Sequence, residues 1–389
     1  MPRIDRFKGL NNVSDPLRLG LGWLTQSDNV DVTDTGVLKK RGGYSLAQAG
    51  VFTDAYATLD EQRMYVVDDG VLKAMTGPAS SIALQSGNSS TSMHWTEINE
   101  QVFFSNGADA GIIQPDNTVL PWRCDVPETP VLAAVTGSLP SGLYRVLCTY
   151  TLADGRETGA CDPAEITLTE GQALQISGIS QRAGCATNVY IAPADSTVFS
   201  HFRATVQTAL VWNFSPDNLG RDFAGDGLDE LPLGIGVIQS WRGRIYAEQY
   251  FPAENQSAIW FSQPLGFHLF NLASDFFMVP GRVTMLAPTD SALVVGTDKA
   301  IHAYSPEGLQ VLAPYGAVPG QHWAKDEDGR ILFWTMRGLC AALPFVNLTG
   351  KQVSVAPGVH AGGAIVQVDG QKRYLVSVKQ GGDAFNARI

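Results

Sequence analysis

Apolar and polar residues alternate along this chain in short runs, and most runs end at Gly, Pro, Asn or Asp. In the run 142–150, for example, Tyr144, Val146 and Cys148 occupy every second position, so they share one face of a strand. Helical periodicity of 3.6 residues is almost absent. The pattern predicts an all-β protein.

One sequence pattern is repeated: an apolar strand, a tight polar turn, and a second strand with an aromatic residue among apolar residues. Its six turns are marked by Glu61, Asn99, Arg242, Asp290, Asp328 and Asp369. Their separations are about 38, 143, 48, 38 and 41 residues, and four of these match one period of about 40. This period is typical of a β-propeller blade. An unrelated run of hairpins in a sandwich is the alternative.

The long separation exceeds the period by about 100 residues, the size of one sandwich domain. Within it, a Tyr-rich strand, the turn Asp154-Gly155 and the strand 188–192 resemble a fibronectin type III domain. The sequence therefore predicts a β-propeller-like platform with an inserted fibronectin III or immunoglobulin-like sandwich. The predicted parts are an arm and hairpin (1–50), the first blades (51–125), the insertion (126–232) and the remaining blades (233–389).

Charge and composition exclude several classes of protein. The chain has 27 Lys and Arg against 38 Asp and Glu, a net charge of −11, which argues against a surface that grips DNA phosphates. Five cysteines lack any CxxC pair, so buried free thiols are expected rather than disulfides or zinc. No apolar run approaches 18 residues and no signal sequence follows Met1, which predicts cytoplasmic synthesis and no stable membrane association.

The sequence contains few signs of a catalytic or metal-binding site. The chain contains no Asp-box, Gly-x-Ser-x-Gly, Walker or His-Glu-x-x-His motif, and the six histidines are scattered singly. Asp68-Asp69, Asp229-Glu230 and the run 326–328 stand in turn contexts, where Asp is favoured by backbone geometry. The segment 222–230 is interpreted as a linker, with a calcium loop as the alternative. We predict no catalytic residue, no metal site and no cofactor.

The amino-terminal hairpin combines Asn29-Val-Asp-Val, a turn at Asp34-Thr-Gly36, and Leu38-Lys-Lys-Arg-Gly-Gly. This motif resembles the amino-terminal motif of tail and head-to-tail proteins of tailed bacteriophages, and is most similar to the tail-tube nozzle or head-completion proteins of short-tailed phages. The resemblance covers the first 45 residues by motif and the remainder by architecture. It implies a propeller platform with inserted domains and six copies assembled in a ring.

Two sets of residues are candidates for contacts between subunits. The basic run of the hairpin could contact nucleic acid or an acidic subunit, or simply form a solvated arm: Lys39, Lys40 and Arg41. The arm before it could wrap a neighbour or pack on its own platform. Aromatic residues in the segment 251–256 and the run 267–278 exceed what one blade requires, and excess exposed apolar area marks contacts between subunits: Phe251, Phe267, Phe270, Phe276 and Phe277.

Together these observations predict a structural, non-enzymatic virion protein. Its hexameric ring would extend the DNA-ejection channel of a phage tail and dock other tail or connector proteins, with genomic DNA touching it only in transit. An acidic lumen would repel phosphates. The alternatives are a carbohydrate-binding or glycoside-hydrolysing propeller of the tail, for which Trp23, Trp122 and Trp212 could stack on sugars, and a fibre or adaptor elsewhere in the tail.

Overall fold

Strands dominate the computed structural model, which describes residues 4–33, 35–43, 45–368, 371–381 and 386–388. Within those ranges, helical structure is limited to one 3-10 turn, Pro216–Asn218. The predicted fold class is confirmed: small antiparallel sheets form a β-propeller-like platform, and two further sheets form an inserted sandwich. The predicted turn residues Asp34 and Asp369 lie outside the described residues.

Four short strands precede the platform: β1 (Gly9–Leu10), β2 (Trp23–Leu24), β3 (Val30–Val32) and β4 (Leu38–Lys40). β1 pairs with β2 in parallel, and β3 with β4 antiparallel. The start of the arm packs on its own platform, because Asn12 donates from Nδ2 to the carbonyl of Ser354 at 2.8 Å and accepts from its N–H at 2.7 Å.

The first two blades precede the insertion. Blade 1 consists of β5 (Phe52–Ala57), β6 (Met64–Asp68), β7 (Val71–Gly77) and β8 (Ser80–Gln85). Blade 2 consists of β9 (His94–Ile98), β10 (Gln101–Ser105), β11 (Ala110–Ile113) and β12 (Val119–Pro121).

Two sheets of three and four strands form the sandwich. One sheet orders β13 (Val131–Leu139), β16 (Gln172–Ser177) and β19 (Ala209–Trp212). The other orders β15 (Ala164–Leu168), β14 (Gly142–Thr151), β17 (Ala186–Ala192) and β18 (Ser200–Thr205). In the core between them Tyr144 meets Trp212 edge-on, with ring centroids 5.8 Å apart. Cys148 and Cys161 are buried in the same core as free thiols.

Four blades follow the insertion. Blade 3 consists of β20 (Ile235–Trp241), β21 (Arg244–Phe251), β22 (Gln256–Phe261) and β23 (Phe276–Pro280). Blade 4 consists of β24 (Val283–Pro288), β25 (Leu293–Thr297), β26 (Ile301–Ser305) and β27 (Gly308–Ala313). Blade 5 consists of β28 (Ala324–Lys325), β29 (Ile331–Thr335), β30 (Gly338–Ala342) and β31 (Val346–Asn347). Blade 6 consists of β32 (His360–Val368), β33 (Gln371–Lys379) and β34 (Asn386–Arg388).

Left-handed turns join the first two strands of blades 2 and 3. Asn99 and Glu100 have φ of 50° and 62°, and Arg242 and Gly243 have φ of 49° and 73°. Two-residue hairpins with both φ values positive are type I′, whose twist matches that of the flanking strands. Asn99 and Arg242 therefore lie at the tips of first hairpins, where the repeat predicts turns.

Tryptophans fill the seams between neighbouring blades. Trp95, which is 1% exposed, stacks on Tyr56 of blade 1 with centroids 5.6 Å apart. Trp241 of blade 3 donates from Nε1 to the carbonyl of Thr289 at 2.7 Å, next to blade 4. The Trp241 ring can be buried here because its N–H reaches a backbone carbonyl. Trp95 contributes through its stacked ring, so both residues hold neighbouring blades together.

The inner strands meet around an axis. Gln321, just before β28, donates from Nε2 to the carbonyl of Trp95 at 3.3 Å and accepts from the Trp95 N–H at 3.1 Å, which joins blades 2 and 5. The space beside this contact, lined by His94, Met285 and Trp323 among others, measures only about 10 Å³. A space of this size is about the smallest that can hold one water molecule, so the side chains pack closely at this point.

The base of the sandwich is attached to blades 2 and 3. Burial lowers the pKa of His268, so at neutral pH its uncharged ring donates from Nε2 to the carbonyl of Glu157 at 2.8 Å. Arg156 donates to the carbonyl of Pro121 at 3.0 Å. These two contacts fix the insertion relative to the blades that flank it, and Trp122 joins those blades to each other by donating to the carbonyl of Phe267 at 2.8 Å.

A carboxyl group is buried inside blade 3. Glu248 is 3% exposed, accepts from the Ser257 hydroxyl at 2.8 Å, and lies where a Cβ on residue 236 would come within 2.8 Å of it. Gly236 therefore provides its space. Burial raises the pKa of Glu248 from 4.5 to about 7, because desolvation disfavours the charged form.

We expect the variant Glu248→Gln to lose the part of the pH dependence of stability that this group causes. Between pH 4.5 and about 7 the folded protein retains a proton that the unfolded chain releases, so this contribution falls as pH rises, by up to about 1.4 kcal/mol per pH unit. Thermal unfolding at pH 5 to 8 should show the wild type losing stability relative to the variant. Glu307→Gln, at an exposed turn, is the control; parallel profiles for wild type and Glu248→Gln would contradict the assignment.

Candidate functional site

The basic run of the hairpin divides into two roles. Lys39 and Lys40 are exposed on β4, whereas Arg41 donates from Nη2 to Asp31 at 2.7 Å. Asp31 also forms an ion pair with Arg373 of blade 6 at 3.2 Å. The Arg41 guanidinium holds the pKa of the Asp31 carboxyl below its usual range. Arg41 is thus a structural residue of the hairpin, and Lys39 and Lys40 remain the candidates for an external contact.

We expect Asp31→Asn to loosen this hairpin while leaving the blades folded, since it removes one charged partner shared by Arg41 and Arg373. Limited trypsin digestion should then cut faster after Lys39 or Lys40 than in the wild type. The change Asp28→Asn, in the same segment and at an exposed position, is the matched control. Equal cleavage rates for all three proteins would show that the ion pair does not hold the hairpin.

The carboxylate clusters make structural contacts. In a cleft of about 590 Å³ between the hairpin and blades 5 and 6, Arg330 binds Asp326 at 2.8 Å and Asp328 at 3.3 Å, while Lys372 binds Glu327 at 3.0 Å. Elsewhere Asp68 accepts from Lys73 at 2.7 Å. Asp229 pairs with Phe270 through two backbone hydrogen bonds, and Glu230 with Arg123. Each of these acids therefore supports a turn or a junction.

His94 is the first residue of β9, and His322 lies just before β28. His322 has both ring nitrogens occupied: Nε2 donates to the carbonyl of Val318 at 2.6 Å and Nδ1 accepts from the Trp334 N–H at 2.9 Å. Burial lowers the pKa of His322 and of His94 to about 4. Across the described part of the chain, no group of three or more His, Cys, Asp or Glu is arranged to hold a metal ion. His322 is thus a structural residue.

Two of the five candidate phenylalanines are buried, which corrects the expectation that they are exposed. Phe270 is 0% and Phe267 6% exposed. Phe267 packs edge-on against Phe103 of blade 2 at 5.9 Å, and Phe270 packs against Trp122 at 6.4 Å. They fill a core shared by blades 2 and 3. Trp122 and Trp212 are also 0% exposed, so neither offers a free face to a sugar.

The remaining three phenylalanines differ in accessibility. Phe251 is half-buried at the end of β21, opposite Gln256. Phe277 stacks on Tyr304 with centroids 3.6 Å apart, inside the seam with blade 4. Phe276 is exposed on the outer strand β23. Phe276 is therefore the candidate that keeps a surface for a partner.

Phe276 belongs to an apolar surface that we call the rim patch, formed by Leu233, Trp260, Phe276 and Met278. Phe276 packs against Trp260 at 4.8 Å, and Met278 follows on the same face of β23 with 40% exposure. Gln249 links Trp260 to Leu233 by accepting from the indole N–H at 3.1 Å and donating to the Leu233 carbonyl at 2.9 Å. The patch is continuous through these contacts.

The rim patch lies on the face of blade 3 that shares a core with blade 2. The outer strand of blade 2, β12, has three residues, while β23 has five. On this face Ile238, Ile245 and Ala247 are buried in the shared core, whereas Phe276 and Met278 stay 37% and 40% exposed. Phe276 and Met278 alternate along one strand, and this alternation is the sequence signal for the patch. Leu233, in the segment before β20, has no such signal in the sequence.

A strained leucine lies in the loop before β23. Leu265 has φ of 62° and is 82% exposed, and the loop is closed by backbone hydrogen bonds from Gln263 to Leu269 and from Leu269 to Gly266. A left-handed conformation costs a residue with a Cβ roughly 1–2 kcal/mol. Such strain is concentrated at functional positions, so an exposed apolar side chain held this way is a second contact candidate.

We expect Leu265→Asn to stabilise the isolated protein by about 0.5–1 kcal/mol, because Asn tolerates the left-handed region better than Leu. Chemical denaturation measures the change. Leu265→Ala keeps the strained Cβ while removing the apolar side chain, so it should leave the stability close to that of the wild type. If both variants gain stability equally, exposure of the leucine rather than its backbone conformation is the cause.

No protein-family model matches the chain, and no curated protein matches it. Solved structures that are similar to it include Hsv2 of Kluyvelomyces marxianus (12% identity, 84% of this chain and 89% of that one, TM-score 0.32). Another is virginiamycin B lyase of Staphylococcus aureus (8% identity, 83% of this chain and 89% of that one, TM-score 0.32). In the described residues, no helix is long and apolar enough to span a membrane.

Proposed function

We propose that this chain is a structural subunit of the tail of a short-tailed bacteriophage, where copies form a ring that extends the DNA-ejection channel. The rim patch is the observation that carries the proposal, because an exposed apolar surface that includes Trp260 and Phe276 is typical of a subunit contact. The hairpin motif at 29–43 supports the viral assignment. Among the residues that the structure describes, no group of three or more His, Cys, Asp or Glu is arranged to hold a metal ion.

The ring places its channel between copies. Gln321 joins blades 2 and 5 through Trp95, and the space beside this contact is only about 10 Å³, so the conduit for DNA is assigned to the centre of the ring rather than to one platform. A contact between the rim patch and a different surface of the next copy is heterologous, and such contacts close into rings when the rotation allows it. Six copies remain the number that the family resemblance implies.

The attached sandwich and the overall charge suit this role. Hydrogen bonds from His268 to Glu157 and from Arg156 to Pro121 fix the sandwich to blades 2 and 3, so it can hold a neighbour or another tail protein at a constant position. Each copy brings a net charge of −11. Acidic side chains facing the lumen would repel phosphates and keep DNA from adhering in passage.

We expect the purified protein to form rings with an open centre, and the double variant Phe276→Asp with Met278→Asp to be monomeric. Burying two carboxylates in an apolar contact costs several kcal/mol, while the exposed positions leave folding intact. Light scattering gives the mass and negative-stain images the shape. The control Val311→Asp changes an exposed residue on the outer strand of blade 4 and should leave the rings assembled.

A wild-type protein that stays monomeric, alone and when mixed with phage connector and tail proteins, would contradict the ring. The carbohydrate hypothesis stays a prediction of the sequence. Turnover of a polysaccharide by the purified protein, abolished by one carboxylate substitution, would favour it over the structural role.

A further inference from the structure

A pocket of about 500 Å³ lies beside blade 5, away from the rim patch. Its walls come from the end of blade 4, the turn between β29 and β30, and the loop 347–355. The volume falls within the range of small-molecule sites. Its side chains include Tyr315, Met336, Arg337, Asn347, Lys351 and Val355.

The pocket is cationic in an acidic protein. Arg337 and Lys351 line it, and no carboxylate does. In the part of the chain that the structure describes, neither cation forms a salt bridge, although acids elsewhere bind cations at 2.6 to 3.8 Å. With a net charge of −11, two cations without acidic partners in one cavity are available to an external anion.

An aromatic and aliphatic surface lies next to these cations. The Arg337 guanidinium lies over the Tyr315 ring, 4.8 Å from its centroid. The Tyr315 hydroxyl accepts from Asn347 at 3.4 Å, and its ring packs against Phe345 at 6.3 Å. Met336 and Val355 add aliphatic surface. The pocket thus combines positively charged side chains with an adjacent apolar wall that a ring or an alkyl group could contact.

The loop that carries Lys351 is held in place before any ligand arrives. Asn347 accepts from the N–H groups of Thr349 at 3.1 Å and Gly350 at 2.6 Å. From the other side, Asn12 of the amino-terminal arm makes two hydrogen bonds to Ser354. A wall fixed at both ends reduces the ordering cost of binding.

We propose that this pocket binds a small organic anion that carries a carboxylate or phosphate group on a ring or alkyl body. Arg337 and Lys351 hold the charged group, and Tyr315, Met336 and Val355 contact the body. Arg presents a planar set of donors that matches either anion. The inference stands independently of the ring, since it uses no residue of the rim patch.

The test is calorimetric titration of the full chain with benzoate and phenyl phosphate, which share a ring and differ in the anion. Benzyl alcohol is the neutral analogue, and inorganic phosphate is the anion without a body. We expect at least one of the two aromatic anions to bind more tightly than both analogues, and the preferred one identifies the charged group. Arg337→Gln and Lys351→Gln should each weaken binding about tenfold.

Lys299→Gln is the matched control, because it removes an exposed lysine from the turn between β25 and β26 of blade 4. It should leave the affinity unchanged, and unfolding curves of all variants should coincide. The proposal is overturned if neither aromatic anion binds, if benzyl alcohol or inorganic phosphate binds as tightly as they do, or if Arg337→Gln binds like the wild type.

Discussion

The structure depends on the fact that no blade can bury both of its faces alone. Blade 3 presents Ile245 and Ala247 to a core shared with blade 2, and Tyr246 and Ile259 to a core shared with blade 4. A four-stranded sheet that is apolar on both sides would aggregate if it stood by itself. Stability therefore resides in the seams, and each blade is ordered by its neighbours.

The same constraint explains where the surface becomes apolar. Where no neighbouring blade covers an outer strand, its apolar side chains stay exposed. The chain leaves blade 2 for the sandwich after β12, and Phe276 and Met278 on the outer strand of blade 3 are the uncovered residues of the rim patch.

Much of the fold could be predicted from sequence because strand, turn and period are local signals. The repeat predicted hairpin tips at Asn99 and Arg242, and both residues lie in left-handed turns there. Accessibility was harder, because it depends on what packs from another part of the chain. Phe267 and Phe276 stand nine positions apart in similar apolar surroundings, yet Phe103 covers the first.

The features that sequence did not indicate share this dependence on distant partners. Nothing near Arg337 in the sequence indicates its contact with the Tyr315 ring, which stands 22 positions earlier in the chain. Glu248 looks like an ordinary strand residue until Gly236 and Ser257 are seen to enclose it. Leu265 had a local signal, since Pro264 and Gly266 flank it, and a turn with positive φ could have been predicted there.

The hydrogen bonds between Gln321 and Trp95 bear on how the molecule is synthesised. These residues are 226 positions apart, so blade 2 acquires its partner across the axis only after most of the polypeptide has left the ribosome. Contacts within the sandwich span far shorter stretches and can form first. Its early folding draws the two flanking segments together and lowers the entropy lost when the loop closes. The insertion would then act as an internal folding aid for the ring of blades that encloses its ends.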